Sequence, residues 1–349
     1  TDPSVLATSG ADGQICLWSL PQLEIKNRIQ LEHIGSLLTS CFSPGGGYLA
    51  VGSGKGFVMI YDMKTFEQVY SQQLHQDQCV SIAWSPHDPD IICTAGADKQ
   101  CHFFNIKDRK IVTTISVNNT FRNVQWSRTE KTIAVACFDG SVYVRMDGGA
   151  YLIIKGNGEA PLFDVAWSPF HPTWIAATDD KGGVLLFDTA DQTCKRAVKH
   201  KDRARPVLWS QAIDYLFISG GYDGNIILWD ARTLSSLGVI NAHSSHVYGL
   251  ATHPQTPYLF VSTSKDEMIR IWSFDRMFPS EKVHALIKGD RFEAEKFCPF
   301  DGTNDLVKLI HRVLHDGTRQ SFNDGDLCHI NDIIRLTKKR ISKMTSALP

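Results

Sequence analysis

The sequence has no surplus of charge: 36 lysines and arginines stand against 37 aspartates and glutamates. That balance leaves no global footprint for nucleic acid or for an anionic membrane. No apolar run is long enough to cross a bilayer, so membrane insertion is not expected. The nine cysteines (Cys16, Cys41, Cys79, Cys93, Cys101, Cys137, Cys194, Cys298 and Cys328) are odd in number and scattered, mostly inside predicted strands. Neither a disulfide frame nor a zinc site has that spacing, and they read as reduced core residues of the cytoplasm or a related compartment. Catalytic motifs are missing as well. The glycine-rich run Gly52 to Gly56 fails the phosphate-loop spacing, with no helix pattern after it, and the sequon Asn118-Asn119-Thr120 reads as accidental in a reduced protein. With no nucleophile, metal cluster or cofactor cradle, neither an enzyme nor a cofactor is expected.

What the sequence does have is a period. Seven strand endings recur from the first residues to about residue 275: Trp18-Ser19, Tyr61-Asp62, Phe104-Asn105, Arg145-Met146, Phe187-Asp188, Trp229-Asp230 and Trp272-Ser273, in steps of 43, 43, 41, 42, 42 and 43. Only the fourth lacks an aromatic. A unit of this length built of short apolar strands predicts a β-propeller blade, hence an all-β, seven-bladed ring. Blade six divides into four strands near Pro206–Ser210, Tyr215–Ser219, Asn225–Trp229 and Ser235–Ile240. Asp-Gly turns at Asp12-Gly13, Asp139-Gly140 and Asp223-Gly224 close second strands onto third ones. Phe42-Ser43-Pro44, Trp84-Ser85-Pro86 and Trp167-Ser168-Pro169 end inner strands, since proline cannot donate to a ladder.

A second spacing runs alongside the first. Six residues before the endings stand Asp12, Asp98, Asp139, Asp223 and Asp266, with Lys55 and Lys181 in the other two units. His75, His200 and His243 each precede an aspartate by 23 residues, and Thr94, Ser219 and Ser262 precede the same aspartates by four. A hydrolase triad occurs once per active site; this set recurs three times, which favours structure over catalysis. The pattern resembles the WD-repeat family, whose blades hydrogen-bond a histidine, a serine or threonine, an aspartate and a tryptophan in series. The resemblance covers about residues 5 to 275 and implies one network of His200, Ser219, Asp223 and Trp229 and another of His243, Ser262, Asp266 and Trp272. The set His75, Thr94 and Asp98 ends at Phe104, which has no indole donor, so its network is expected to be one bond short.

The two ends depart from the period. Thr1 to Gly10 reads as the second strand of a blade whose inner strand is absent, so the chain is expected to start in mid-blade, and targeting is not legible there. A propeller over 1–289 is expected to be followed by a linker and a helical extension over 290–349. Leu306, Leu309, Ile310, Val313 and Leu314 form one apolar stripe at helical spacing, and Leu327, Ile330, Ile334, Ile341, Met344 and Leu348 a second. Helical neighbours through 303–348 are therefore candidate partners. The basic run Arg335, Lys338, Lys339, Arg340 and Lys343 reads as a solvated face near a helix end. The layout resembles scaffolds with tandem WD-repeat propellers followed by a helical solenoid, such as intraflagellar-transport subunits; it implies a multi-subunit assembly in the cytoplasm, cytoskeletal or ciliary in character.

In the family, the loops between outer and next inner strands, and between second and third strands, meet on the top face. Here they contribute Phe121, Arg122, Phe138, Lys201, Arg203, Arg205, Tyr222, His246, Tyr248 and Lys265. Arginine and aromatic residues are enriched at interface hot spots, so these residues are the expected contacts for other proteins. Nucleic acid is the less favoured partner: Arg203, Arg205, Tyr222 and Tyr248 would have to converge to stack bases.

Overall fold

The computed structural model describes residues 5–19, 24–31, 34–156, 160–253 and 259–273; the expected helices between 303 and 348 and the boundary at 289/290 lie outside them. The described residues form 26 strands in seven antiparallel sheets, with no helix among them. Blade one is β1 (Val5–Ser9), β2 (Gln14–Ser19) and β3 (Glu24–Gln30). Blade two is β4 (Leu37–Phe42), β5 (Tyr48–Ser53), β6 (Phe57–Asp62) and β7 (Gln68–Gln73). Blade three is β8 (Cys79–Trp84), β9 (Ile91–Gly96), β10 (Gln100–Asn105) and β11 (Lys110–Ser116). Blade four is β12 (Phe121–Trp126), β13 (Ile133–Cys137), β14 (Ser141–Arg145) and β15 (Tyr151–Lys155). Blade five is β16 (Leu162–Trp167), β17 (Trp174–Asp179), β18 (Gly183–Asp188) and β19 (Thr193–Val198). Blade six is β20 (Ala204–Trp209), β21 (Leu216–Gly221), β22 (Asn225–Asp230) and β23 (Ser235–Asn241), and blade seven is β24 (Val247–Thr252), β25 (Leu259–Ser264) and β26 (Ile269–Ser273).

The fold is thus the expected all-β seven-bladed propeller, and every periodic ending closes the third strand of its blade. In blade one β1 pairs with β2, the second-strand place foreseen for the chain start, and the sheet order is β1-β2-β3 with no inner strand among the described residues. The rings of Phe260 and Trp272 stack at 6.3 Å.

Burial follows each strand's place in its blade. Second strands such as β13 and β21 are buried at every position because both faces meet neighbouring sheets, whereas β3 alternates exposed and half-buried residues along an outer edge. Apolar cores lie between successive sheets. Val142 and Val144 of blade four, for example, pack with Leu162, Trp167, Ile175 and Phe187 of blade five. Removing a side chain of this size from water stabilises by roughly 1.5–3 kcal/mol.

Two local features recur. The turn between second and third strands carries Gly13, Gly56, Gly140, Gly182 and Gly224 at φ of 74, 77, 80, 73 and 76°, a region that suits residues without a Cβ. Blades three and seven place Lys99 and Glu267 there instead, at 69 and 66°. The second feature is a register shift at the start of five inner strands, between Leu37 and Thr39, Cys79 and Ser81, Phe121 and Asn123, Leu162 and Asp164, and Ala204 and Val207. A bulge re-aims the residue it leaves unpaired. Here it acts just after a fully enclosed anchor: Leu37, Cys79, Phe121, Leu162, Ala204 and Val247 are all buried.

Candidate functional site

The buried polar networks hold the turns in place. In blade six the Trp229 indole N–H donates to Ser219 Oγ at 2.9 Å, Ser219 meets His200 Nε2 at 2.8 Å, and His200 Nδ1 meets Asp223 at 3.0 Å. A donor Nδ1 facing the carboxylate leaves Nε2 to accept from the hydroxyl. Asp223 also accepts the backbone N–H of Lys201 and Asn225. Burial alone would raise its carboxyl pKa, but the hydrogen bonds from His200 and Lys201 hold it well below the usual range. Blade seven repeats the pattern with His243, Ser262 and Asp266, at 2.7 Å to Ser262 and 2.9 Å to Asp266. In blade three His75 meets Thr94 at 3.0 Å and Asp98 at 3.1 Å, and the chain of bonds stops before Phe104. A further indole bond, from Trp18 to Thr8 at 3.0 Å in blade one, was overlooked because no histidine precedes it at the required spacing. Where the spacing puts lysine, a residue two places earlier takes over: Ser53 Oγ and Asp179 Oδ1 accept the turn N–H groups, and Arg196 reaches Asp179 at 2.6 Å.

His75, Asp98 and His102 are the described residues grouped closely enough to hold a metal ion, with ligand atoms within 4.8 Å. Their atoms are already engaged, however: His75 uses both ring nitrogens on Asp98 and Thr94, and His102 places Nδ1 2.9 Å from Thr114. Burial pushes both histidines toward the neutral form, against the pull of Asp98.

Three positions per blade define the face above these networks. One hydrogen bond recurs six times, from the residue after the second strand to the loop before the inner strand: Gly54 to Ser36, Ala97 to Gln78, Phe138 to Thr120, Asp180 to Pro161, Tyr222 to Arg203 and Lys265 to His246, at 2.7–3.0 Å. The bulge adds a third residue beside each pair: Leu38, Val80, Arg122, Phe163, Arg205 and, by position, Tyr248. Neutral or acidic side chains two residues past the anchors Leu37, Cys79 and Leu162 tie successive blades together. Thr39 accepts Ile82 N–H at 3.3 Å, Ser81 accepts Val124 N–H at 3.2 Å, and Asp164 accepts Val207 N–H at 2.9 Å. Burial pushes the Asp164 carboxyl up to about 7, against the two backbone donors and the charge of Arg205.

From blade four to blade seven these positions make a continuous ladder of rings and guanidinium groups. Arg122 lies 5.1 Å from the Phe138 ring and 5.7 Å from Phe163. Arg205 lies 4.3 Å from the other end of the pair, Phe163, and 5.2 Å from Tyr222. Tyr222 stacks on His246 at 3.9 Å and 6°, with Tyr248 edge-on to both at 5.9 and 6.0 Å. The Thr178 hydroxyl donates to the Arg205 carbonyl and pins the bulge. Arg203 lies 2.7 Å from Asp180, close enough for an ion pair though misaligned for a hydrogen bond.

Arg122, Phe138, Arg205, Tyr222, His246 and Tyr248 are therefore brought together. Phe121 is a correction: it is fully enclosed in the core of blades three and four, because it is the anchor and not the bulge residue. Lys201 and Lys265 are exposed but join the face through backbone N–H groups. Phe163 and Asp180 were missed, although both stand on the same 41–43-residue spacing as Arg122 to Tyr248 and Phe138 to Lys265. Arg145, the ending without an aromatic, lays its guanidinium 4.6 Å over the Phe103 ring, so a planar cation covers the neighbouring blade where another ending has a ring.

Comparison with known proteins matches residues 66–105 and 234–273 to the family model described as WD domain, G-beta repeat. Among full-length relatives, the chain is 21% identical over 281 residues to Protein FIZZY-RELATED 3 of Arabidopsis thaliana, covering 78% of this chain and 57% of that protein. It is 22% identical to Anaphase-promoting complex subunit cdc20 of Dictyostelium discoideum (76% and 54%). It is 26% identical to APC/C activator protein CDH1 of Saccharomyces cerevisiae (68% and 42%). The chain thus spans about half the length of the relatives it matches.

Proposed function

The chain is a WD-repeat β-propeller, and from that premise we propose that it is a non-catalytic protein-interaction module whose partners dock on the face of blades four to seven. The ladder from Phe138 through Arg122, Phe163, Arg205 and Tyr222 to His246 and Tyr248 carries this reading. Its rings and guanidinium planes are held rigid by each other and by the backbone bonds beneath, which lowers the entropy lost on binding. Phe138 and Tyr248, 45% and 50% exposed, offer apolar area at the two ends. Arg203 and Lys201 stand at the rim.

Two of the relatives are named as a subunit of the anaphase-promoting complex and as an APC/C activator, which supports a place in a large multi-subunit complex. A ciliary or cytoskeletal setting rests on the layout resemblance alone. The helices expected between 303 and 348 would add a second contact, for helical neighbours. Among the described residues no helix is long and apolar enough to cross a membrane.

The test is capture of partners by the full chain and by a variant with Arg203→Glu, Arg205→Glu and Tyr222→Ala. Loss of specific partners with an unchanged melting temperature is the expected result. Retention of all partners by the folded variant would move the interaction elsewhere.

A further inference from the structure

We infer that Arg122 and Arg205 form an anion subsite that receives an acidic side chain, a carboxylate or a phosphate, of a bound peptide. The inference rests on the interaction face proposed above and names what that face reads.

Both guanidinium groups lie over rings, Arg122 over Phe138 and Phe163 and Arg205 over Phe163 and Tyr222. Ring contacts of this kind give the N–H donors no acceptor in line with a hydrogen bond. Among the described residues neither group makes a side-chain hydrogen bond or an ion pair, and the Nε atoms of both are enclosed without a partner. A guanidinium carries five donors in a fixed fork, so two such groups sharing one ring leave an array of unfilled donors.

Stacking by itself does not exclude a carboxylate. Arg232 lies 3.9 Å over Tyr215 and still pairs with Asp230 at 2.6 Å, and Arg196 pairs with Asp179 at the same distance. Asp180, whose charge reaches Arg122, is taken by Arg203 at 2.7 Å. Burial, and then the like charge of Arg205, already weakens the hold of Arg122 on its proton. An anion between the two cations would fill the donors and relieve the repulsion, and charge-assisted hydrogen bonds of this kind are the strong ones.

A peptide fits better than RNA. Phe163 faces two guanidinium groups, and Tyr222 meets Arg205 and His246, so the central rings are engaged with their neighbours and are not open platforms for bases. Asp180 would also repel a run of phosphates, whereas one acidic side chain needs only the space between the two arginines.

The full chain is to be probed with three degenerate peptide libraries that share a fixed central residue: phosphoserine, glutamate or serine. The two anionic libraries are expected to bind at least about tenfold above serine, the scale of one charge-assisted contact. Arg122→Gln with Arg205→Gln should abolish that preference, while Lys195→Gln with Lys199→Gln, an equal change of net charge at exposed residues in and just after β19, should keep it. Phosphoserine above glutamate assigns the anion as phosphate, and equal binding assigns a plain carboxylate. Should the glutamine pair fail to fold, Arg122→Lys with Arg205→Lys keeps the charge, removes the fork, and is expected to lose most of the preference.

An anionic preference that survives in folded arginine variants, or no such preference at all, overturns the subsite. If peptides of every library bind equally and are lost on Tyr222→Ala, the face stands and only the subsite falls. If no library binds while poly-uridine does so through Arg122 and Arg205, the peptide reading is replaced by RNA.

Discussion

Blades two and three carry Gly54, Ser36 and Leu38, and Ala97, Gln78 and Val80, at the three positions where blades four to seven carry Phe138, Thr120 and Arg122, then Asp180, Pro161 and Phe163, then Tyr222, Arg203 and Arg205, then Lys265, His246 and Tyr248. The backbone beneath is the same in both regions: one hydrogen bond from turn to loop, a buried anchor and a bulge that turns the next side chain outward. Geometry is therefore shared and chemistry is local. A repeated backbone supplies equivalent places, and only side chains decide which stretch of the rim attracts a partner.

The largest expected effect tests the shared half of this comparison. Asp98→Ala in blade three and Asp223→Ala in blade six each strand a buried histidine and two turn N–H groups. Both are expected to cost about 1–3 kcal/mol, read as similar drops in melting temperature. A loss in one blade only would mean that the two regions are not held alike. Next comes the half that differs. Arg205→Ala should weaken partner capture about tenfold or more, whereas Val80→Ala, at the same bulge position, should leave it unchanged. Equal losses from both would dissolve the distinction.

A smaller effect follows from the ties between blades. Thr39 and Ser81 are neutral, but Asp164 titrates near 7 in the fold against an ordinary value of 3.8. The raised value means the folded chain holds this proton more tightly than the unfolded chain. Its contribution to stability is full below about 4 and is lost as pH rises through about 7. Asp164→Asn removes that loss, so the variant should melt higher than the parent at pH 8, by roughly 2–4 °C per kcal/mol recovered, by a smaller margin at pH 5, and little differently below about pH 4. A constant offset across pH would refute the titration. The smallest effect is expected of Trp229→Phe, which converts the blade-six network into the blade-three form by removing one indole bond. About 1 kcal/mol should be lost in thermal or denaturant unfolding.

Much of this was legible because it recurs. The endings from Trp18 to Trp272 located every third strand, and the histidine-to-aspartate spacing located three networks. Arg122, Arg205, Tyr222 and Tyr248 were picked out by residue type on expected loops. Phe121 was misplaced by one residue, because the step from anchor to bulge reverses which side chain faces out, and a bulge leaves no mark in composition. Phe163 and Asp180 were passed over since neither stands out by type. Their place in the 42-residue series was the available signal. Arg145 looked like a broken ending until the Phe103 ring beneath it supplied the reason.

By itself the sequence determined the number of blades, the strand order within each and the buried networks, since all three depend on local spacing that repeats and needs no knowledge of distant residues. The tertiary structure alone decided that a phenylalanine from blade five lies between arginines from blades four and six, and that among the described residues neither arginine pairs with a carboxylate. Those relations join residues about 40 apart across separate sheets, and packing, not periodicity, sets which charges find partners and which stay open to a ligand.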